Sequence, residues 1–131
     1  MIYVDTNVII RLIEGDGSAR APLEERLAPL KGTGCFLMTC QLSRLECRTK
    51  PMRDDDKSLL ALYDDFFRSE EVDVLPLSIA VVDKATEIRA AYKVKTPDAL
   101  HLAAAIIAGA KAFVTGDKSL ARCTEITVET L

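Results

Sequence analysis

Ile2-Tyr3-Val4-Asp5-Thr6-Asn7-Val8-Ile9 decides the fold. Ile2 to Val4 is a short apolar run of strand formers, as expected of a strand buried on both faces. Val8, Ile9, Leu12 and Ile13 then recur at helical spacing, with Thr6 or Asn7 available as a cap and Gly15 and Gly17 to end the helix. An acid therefore stands directly where a strand gives way to a helix. Working outward, the same alternation continues. Helices are expected over Ala19 to Leu30, over Gln41 to about Arg48 (ended before Pro51), and after Asp54–Asp56, whose charge suits a helix start. In that last helix Leu59, Leu60, Tyr63, Phe66 and Phe67 form one apolar face. Ser78 caps a helix with Val82, Ala85, Ile88 and Tyr92 aligned, and Thr96-Pro97-Asp98 (a capping hydroxyl, a proline in the first turn, then an acid) opens the most apolar helix of the chain. Strands are expected at Cys35–Thr39, Val72–Leu75, Ala112–Thr115 and Ile126–Val128, with a short helical turn at Lys118–Arg122.

Strands that alternate with helices and are apolar throughout imply a single α/β domain over residues 1–131. Its central sheet has about five mostly parallel strands between two helical layers. Such sheets carry their sites beyond the carboxyl ends of the strands. Asp5 follows the first strand and Asp117 follows the fourth after one glycine, so the two share a rim if those strands are neighbours.

Composition narrows the classes. The chain has 131 residues, 49% of them hydrophobic and 28% charged, the balance of a globular domain. An acid at position 5 is unlike a secretory signal, and the near-apolar stretch Ala99 to Ala110 is shorter than the roughly 20 residues of a membrane span. A cytoplasmic protein is expected. Cys35, Cys40, Cys47 and Cys123 lack Cys-x-x-Cys spacing and read as buried reduced thiols. A net charge of −3 excludes the whole molecule as a magnet for nucleic acid, leaving local basic patches or a bound metal to make such contacts.

Two further acids fall where core-facing residues are expected: Glu46, four residues after Leu42 and next to Leu45, and Asp98 in the first turn of the apolar helix. Each acid alone has an ordinary explanation, as a cap, a dipole partner, a turn residue or a solvated helix acid. Their joint placement is harder to explain away. Two carboxylates about 5 Å apart repel by roughly 3 kcal/mol at an effective dielectric of about 20. Four together would use up much of a domain's stability of about 5–15 kcal/mol, so they must bind protons or a metal. Oxygen-only donors favour Mg²⁺ or Mn²⁺, which suits phosphoryl chemistry by metal-activated water.

Tyr3-Val4-Asp5-Thr6-Asn7, Glu46, Thr96-Pro97-Asp98-Ala99-Leu100-His101-Leu102-Ala103-Ala104-Ala105 and Phe113-Val114-Thr115-Gly116-Asp117-Lys118 together resemble the PIN domain, and in particular its VapC-like toxin branch. The resemblance runs the length of the chain in the expected order. It implies a three-layer α/β/α nuclease that cuts RNA with Mg²⁺ or Mn²⁺ and leaves a 5′-phosphate. It further implies a homodimer held inactive by a small antitoxin protein. Asp5, Glu46, Asp98 and Asp117 match the family's catalytic, metal-binding acids, and Thr6, Asn7 and Thr115 match polar residues that support them. Many relatives carry one more acid, where this chain has Ser119. His101, three residues after Asp98, reads as structural. Arg44, Arg48, Lys50 and Arg53 cluster around Glu46, and Lys93, Lys95 and Lys118 flank the later acids. Of these, Arg44, Arg48 and Lys118 are the expected contacts to RNA.

Three rivals share features of this pattern. An RNA-processing nuclease of the same fold would carry the same acids, and a catalytically silent binding module could follow from Ser119. A phosphoaspartyl phosphatase or receiver domain also places an acid after its first strand. The phosphatase pattern wants an Asp where Asn7 stands and a Thr or Val where Ile9 stands, and neither scheme accounts for Glu46.

Overall fold

The computed structural model describes residues 1–131. Five strands, β1 (Ile2–Val4), β2 (Leu37–Cys40), β3 (Val72–Leu75), β4 (Phe113–Thr115) and β5 (Val128–Thr130), form one sheet in the order β3-β2-β1-β4-β5, every neighbouring pair parallel. Six helices connect them: α1 (Thr6–Glu14), α2 (Gly17–Leu27), α3 (Gln41–Arg53), α4 (Lys57–Arg68), α5 (Ile79–Tyr92) and α6 (Thr96–Ile107). Single 3-10 turns cover Ala28–Leu30 and Lys118–Arg122.

The alternation of side chains along each strand divides the core in two. Tyr3, Met38, Cys40 and Phe113 face α5 and α6, where Ala99, Leu102 and Ala103 to Ala105 are fully buried. Ile2, Val4, Leu37 and Val114 face the other way, onto Val8, Ile9, Leu23, Tyr63 and Phe67 of α1, α2 and α4. Tyr3 and Phe113 are register partners across β1 and β4, and their rings stack at 5.2 Å. The chain lays β2 and β3 to one side of β1 and then returns to place β4 on the other. The crevice between β1 and β4 is thus the topological switch point, where sheets of this kind gather their functional loops.

Local chemistry revises several sequence expectations. Asp5, and not Thr6 or Asn7, caps α1, its carboxylate accepting from Thr6 N at 2.8 Å. Gly15 ends α1, and a Cβ there would lie 2.4 Å from the Arg11 carbonyl oxygen. Gly17 instead opens α2 behind the Asp16 cap. Helix α3 runs through Pro51 to Arg53. The missing N–H falls in the last turn, where only one helical bond is lost, and the Pro51 carbonyl accepts from Asp56 N at 2.8 Å. Thr96 is not the cap of α6. Lys95 takes that place, and the Thr96 hydroxyl accepts from Arg89 at 2.9 Å. In α5, Val81 is buried while Val82 is 49% exposed. Strand β5 starts at Val128 because Ile126 is spent in the preceding turn, packed against the α5–α6 core. Cys40, Cys47 and Cys123 are buried thiols, but Cys35 is exposed. No helix is long and apolar enough to cross a membrane.

Candidate active site

Asp5 emerges from β1 at the switch point with only 4% of its surface exposed. Both its oxygens are held. One accepts from Thr6 N, and the other accepts from the Thr115 hydroxyl at 2.8 Å and from Asn7 Nδ2 at 3.1 Å. Thr115 ends β4, the neighbour of β1, and its Oγ1 also accepts from Asp117 N at 3.0 Å. Asn7 completes the bridge by accepting from Gly116 N at 2.8 Å. Gly116 allows this approach, since a Cβ there would sit 2.9 Å from the Arg11 guanidinium and 3.3 Å from Asn7 Oδ1. One hydrogen-bonded group thus ties Asp5 to the loop that carries Asp117.

Asp117 is turned by its own neighbour. It accepts from Ser119 N at 2.9 Å and from the Ser119 hydroxyl at 2.7 Å. Those bonds, with Arg122 and Lys95 nearby, hold its carboxyl below the usual range. Asp98, from the first turn of α6, lines the same cavity of about 210 Å³ as Asp117. Partial burial, together with the anions of Asp5 and Asp117, pushes its carboxyl up. Asp98 makes no side-chain hydrogen bond or ion pair that would offset this.

Glu46 has a different environment. It stands on α3 at the far side of Asp5, where its Oε1 accepts from the Thr6 hydroxyl at 2.8 Å and from His101 Nε2 at 2.7 Å. Because a carboxylate only accepts, Nε2 carries a proton. Nδ1 of the same ring meets the Tyr3 hydroxyl at 2.7 Å and Cys40 Sγ at 3.6 Å. Thr39 donates to Ser43 at 2.8 Å, and Ser43 lies 2.9 Å from Thr6. With the Thr6 proton given to Glu46, hydroxyls relay in one direction from the end of β2 to the carboxylate. Leu45, beside Glu46 in the chain, does not share its inward side: it is 63% exposed, and Ser43 and Cys47 form the inward face of α3.

His101, only 1% exposed, has a raised pKa. Burial opposes charge on the ring, but its bonds to Cys40 and Glu46 and the nearby Asp5 anion outweigh this and bring it to about 10. For Glu46, burial likewise opposes the charge, and the bonds from His101 and Thr6 leave its carboxyl below the usual value. The folded pKa of His101 lies above its free value, so the ring's contribution to stability is complete below about pH 6.5 and fades as pH rises through about 10. This is the only histidine of the chain, so its ring proton signals need no assignment. They are expected to show no titration between about pH 5 and pH 8 in an NMR series, whereas a midpoint near 6.5 would mean an ordinary ring.

Of the expected site residues, the structure gathers Asp5, Thr6, Asn7, Glu46, Asp98, Thr115 and Asp117 along one rim. As placed, no three His, Cys, Asp or Glu side chains form a group that could hold a metal ion. The donors do have the right chemistry for a hard cation. Asp5, Asp98 and Asp117 offer carboxylate oxygens, and Asp98 lies in no salt bridge, although Lys95 and His101 are near enough to offset part of its charge. Arg44 and Arg48 are not brought to these acids. Both line a groove on the outer face of α3, where Arg44 donates to Gln41 at 2.9 Å and Arg48 pairs with Asp64 at 2.9 Å. Lys118 is exposed next to Asp117 and does not line the cavity. Tyr3, Ser43, Cys40 and Arg122 went unseen in the sequence. Only Ser43, three residues before Glu46 and hence on its side of the helix, carried a local signal.

Comparison with known proteins identifies the family. The PIN domain family model matches residues 2–126, and the chain belongs to that family. No curated protein matches it. Among solved structures it is similar to VapBC2 from Rickettsia felis bound to a promoter DNA fragment, with 19% identity, a TM-score of 0.77, and coverage of 99% of this chain and 98% of that one. VapBC-1 from nontypeable Haemophilus influenzae gives 19%, 0.76, 99% and 98% in the same terms. VapC20 of Mycobacterium tuberculosis, a sarcin–ricin loop cleaving toxin, gives 21%, 0.72, 92% and 93%. At these identities the likeness is one of fold.

Proposed function

We propose that this PIN domain is an endoribonuclease that requires Mg²⁺ or Mn²⁺, acting in the cytoplasm as the toxin of a toxin–antitoxin pair. The observation that carries the reading is the placement of Asp98 at the switch point of the sheet: a half-buried carboxylate with no hydrogen-bond or ion-pair partner, facing the same cavity as Asp117 and pushed up first by burial and then by the anions of Asp5 and Asp117. Such a set is stabilised by a cation placed among its members. Asp5, Asp98 and Asp117 would hold the ion, with Glu46 on the other side of Asp5. A divalent ion there would supply charge neutralisation of the phosphate and a bound water of lowered pKa as the nucleophile. The chain's own residues set the geometry. Thr6, Asn7 and Thr115 fix the Asp5 oxygens, Ser119 turns Asp117, and His101 with Thr6 orients Glu46. Cleavage leaves a 5′-phosphate.

The toxin assignment draws on the solved relatives, which include VapBC complexes and a toxin that cleaves the sarcin–ricin loop. It brings with it a homodimer and a small antitoxin that fills the cleft. Expression of the wild type and of Asp98→Asn, followed by sequencing of cellular RNA ends, tests the reading. New 5′-phosphate ends are expected with the wild type alone and should vanish when the antitoxin is co-expressed. Identical ends in both samples would remove the nuclease assignment.

A further inference from the structure

The basic residues nearest the acids are not those that charge density along α3 suggests. The cavity holding Asp98 and Asp117 also has Lys93, Lys95 and Arg122 in its wall. Three cations against two anions make this pocket positive within a chain of net charge −3. None of the three lies in a salt bridge, while Arg48 is neutralised by Asp64. Lys93, Val94 and Lys95 are the entire connection between α5 and α6. Val94 is buried and pins this connection to the core, leaving the lysines on either side exposed. Lys93 ends α5 with φ of 54°, a left-handed conformation that glycine adopts without strain. The stem of Arg122 is fixed by its Nε donating to Ser119 O at 3.0 Å. The terminal nitrogens of its guanidinium make no hydrogen bond to the protein.

We infer that Lys93, Lys95 and Arg122 form the phosphate-binding track of the enzyme, holding the RNA backbone beside Asp98 and Asp117, and that the α3 cations take no part. The inference rests on the nuclease reading and adds to it the side from which the strand enters. Phosphate oxygens need point charges at the edge of the acidic set, since the acids themselves repel the strand.

The test is fluorescence anisotropy with a short labelled single-stranded RNA over a salt series, divalent ions removed by EDTA so that no cleavage occurs. One variant combines Lys93→Gly, Lys95→Gln and Arg122→Gln. Lys93→Gly suits the left-handed backbone, and thermal melts verify that the fold is kept. A charge-matched variant combines Arg44→Gln, Lys50→Gln and Arg53→Gln. The first is expected to lose about tenfold or more in affinity and to flatten the log–log salt slope by about 2, near 0.7 per lost contact. The second should stay within about twofold of the wild type. Equal loss in both variants, or loss in the second alone, overturns the track while the nuclease reading stands. A wild type that neither binds RNA here nor cleaves it with Mn²⁺ restored removes both.

Discussion

Asp5→Asn is expected to lower RNA cleavage by about 10²–10³-fold while leaving the protein folded, as removal of one preorganised charged group from an active site does. The substitution is nearly isosteric, and its remaining oxygen can still accept from Thr6 N, so the α1 cap survives. At the other end the amide NH₂ can donate to Thr115 Oγ1, but it meets the NH₂ of Asn7, which now donates to Asp5. Asn7 must turn, and with it the bond it accepts from Gly116 N. The change therefore removes the buried anion and loosens the tie between β1 and the Asp117 loop in one step. Relief of repulsion with Asp98 works in the opposite direction on stability. The melting temperature is expected to hold while activity disappears. A loss of activity that merely tracks unfolding would mean that Asp5 is only a cap.

His101→Leu is expected to destabilise the fold by about 1–3 kcal/mol, the cost of leaving the buried Tyr3 hydroxyl unsatisfied, since the half-buried Glu46 carboxylate can still turn to water. The ring connects groups from distant parts of the chain: Tyr3 on β1, Thr6 on α1 and Glu46 on α3. Leucine fills much of the same volume but cannot satisfy the Tyr3 hydroxyl, which is fully buried, or the Glu46 carboxylate. Denaturant unfolding measures the effect directly. In a double-mutant cycle, Glu46→Gln should cost much less in the His101→Leu background than in the wild type, because the two residues share one interaction. Additive losses would show that His101 acts through packing alone.

The parallel direction of the strands was legible because the central ones, β1 and β4, are short apolar runs and the connections between strands are helical, whereas the edge strands β3 and β5 carry Asp73 and Glu129 and the strand order came only with the structure. The sequence put Asp5 and Asp117 at strand ends and on one rim only if the first and fourth strands were neighbours, and the pairing of β1 with β4 met that condition. Glu46 was singled out on an assumption about Leu45 that exposure contradicts, although the residue does face the site. The His101 cluster could not be read in advance. Its partners lie 98, 95 and 55 residues away, and no periodicity links them. The basic track was hidden for a related reason. Four cations in ten residues of α3 dominate the sequence, yet residues two apart on a helix point about 200° apart, so Arg44 faces away from Glu46. The pairing of Arg48 with Asp64 on α4 is a tertiary fact. Pro51 misled because a proline in the last turn leaves a helix largely intact.

Everything proposed for this site depends on a divalent ion reconciling Asp98 with Asp5 and Asp117. Isothermal titration of Mn²⁺ into the purified protein, beside the same titration of Asp98→Asn, tests that most directly and does not depend on the substrate. Saturable uptake by the wild type, weakened at least about tenfold in the variant, is the expected result. No uptake by the wild type, or identical uptake by both proteins, would contradict it.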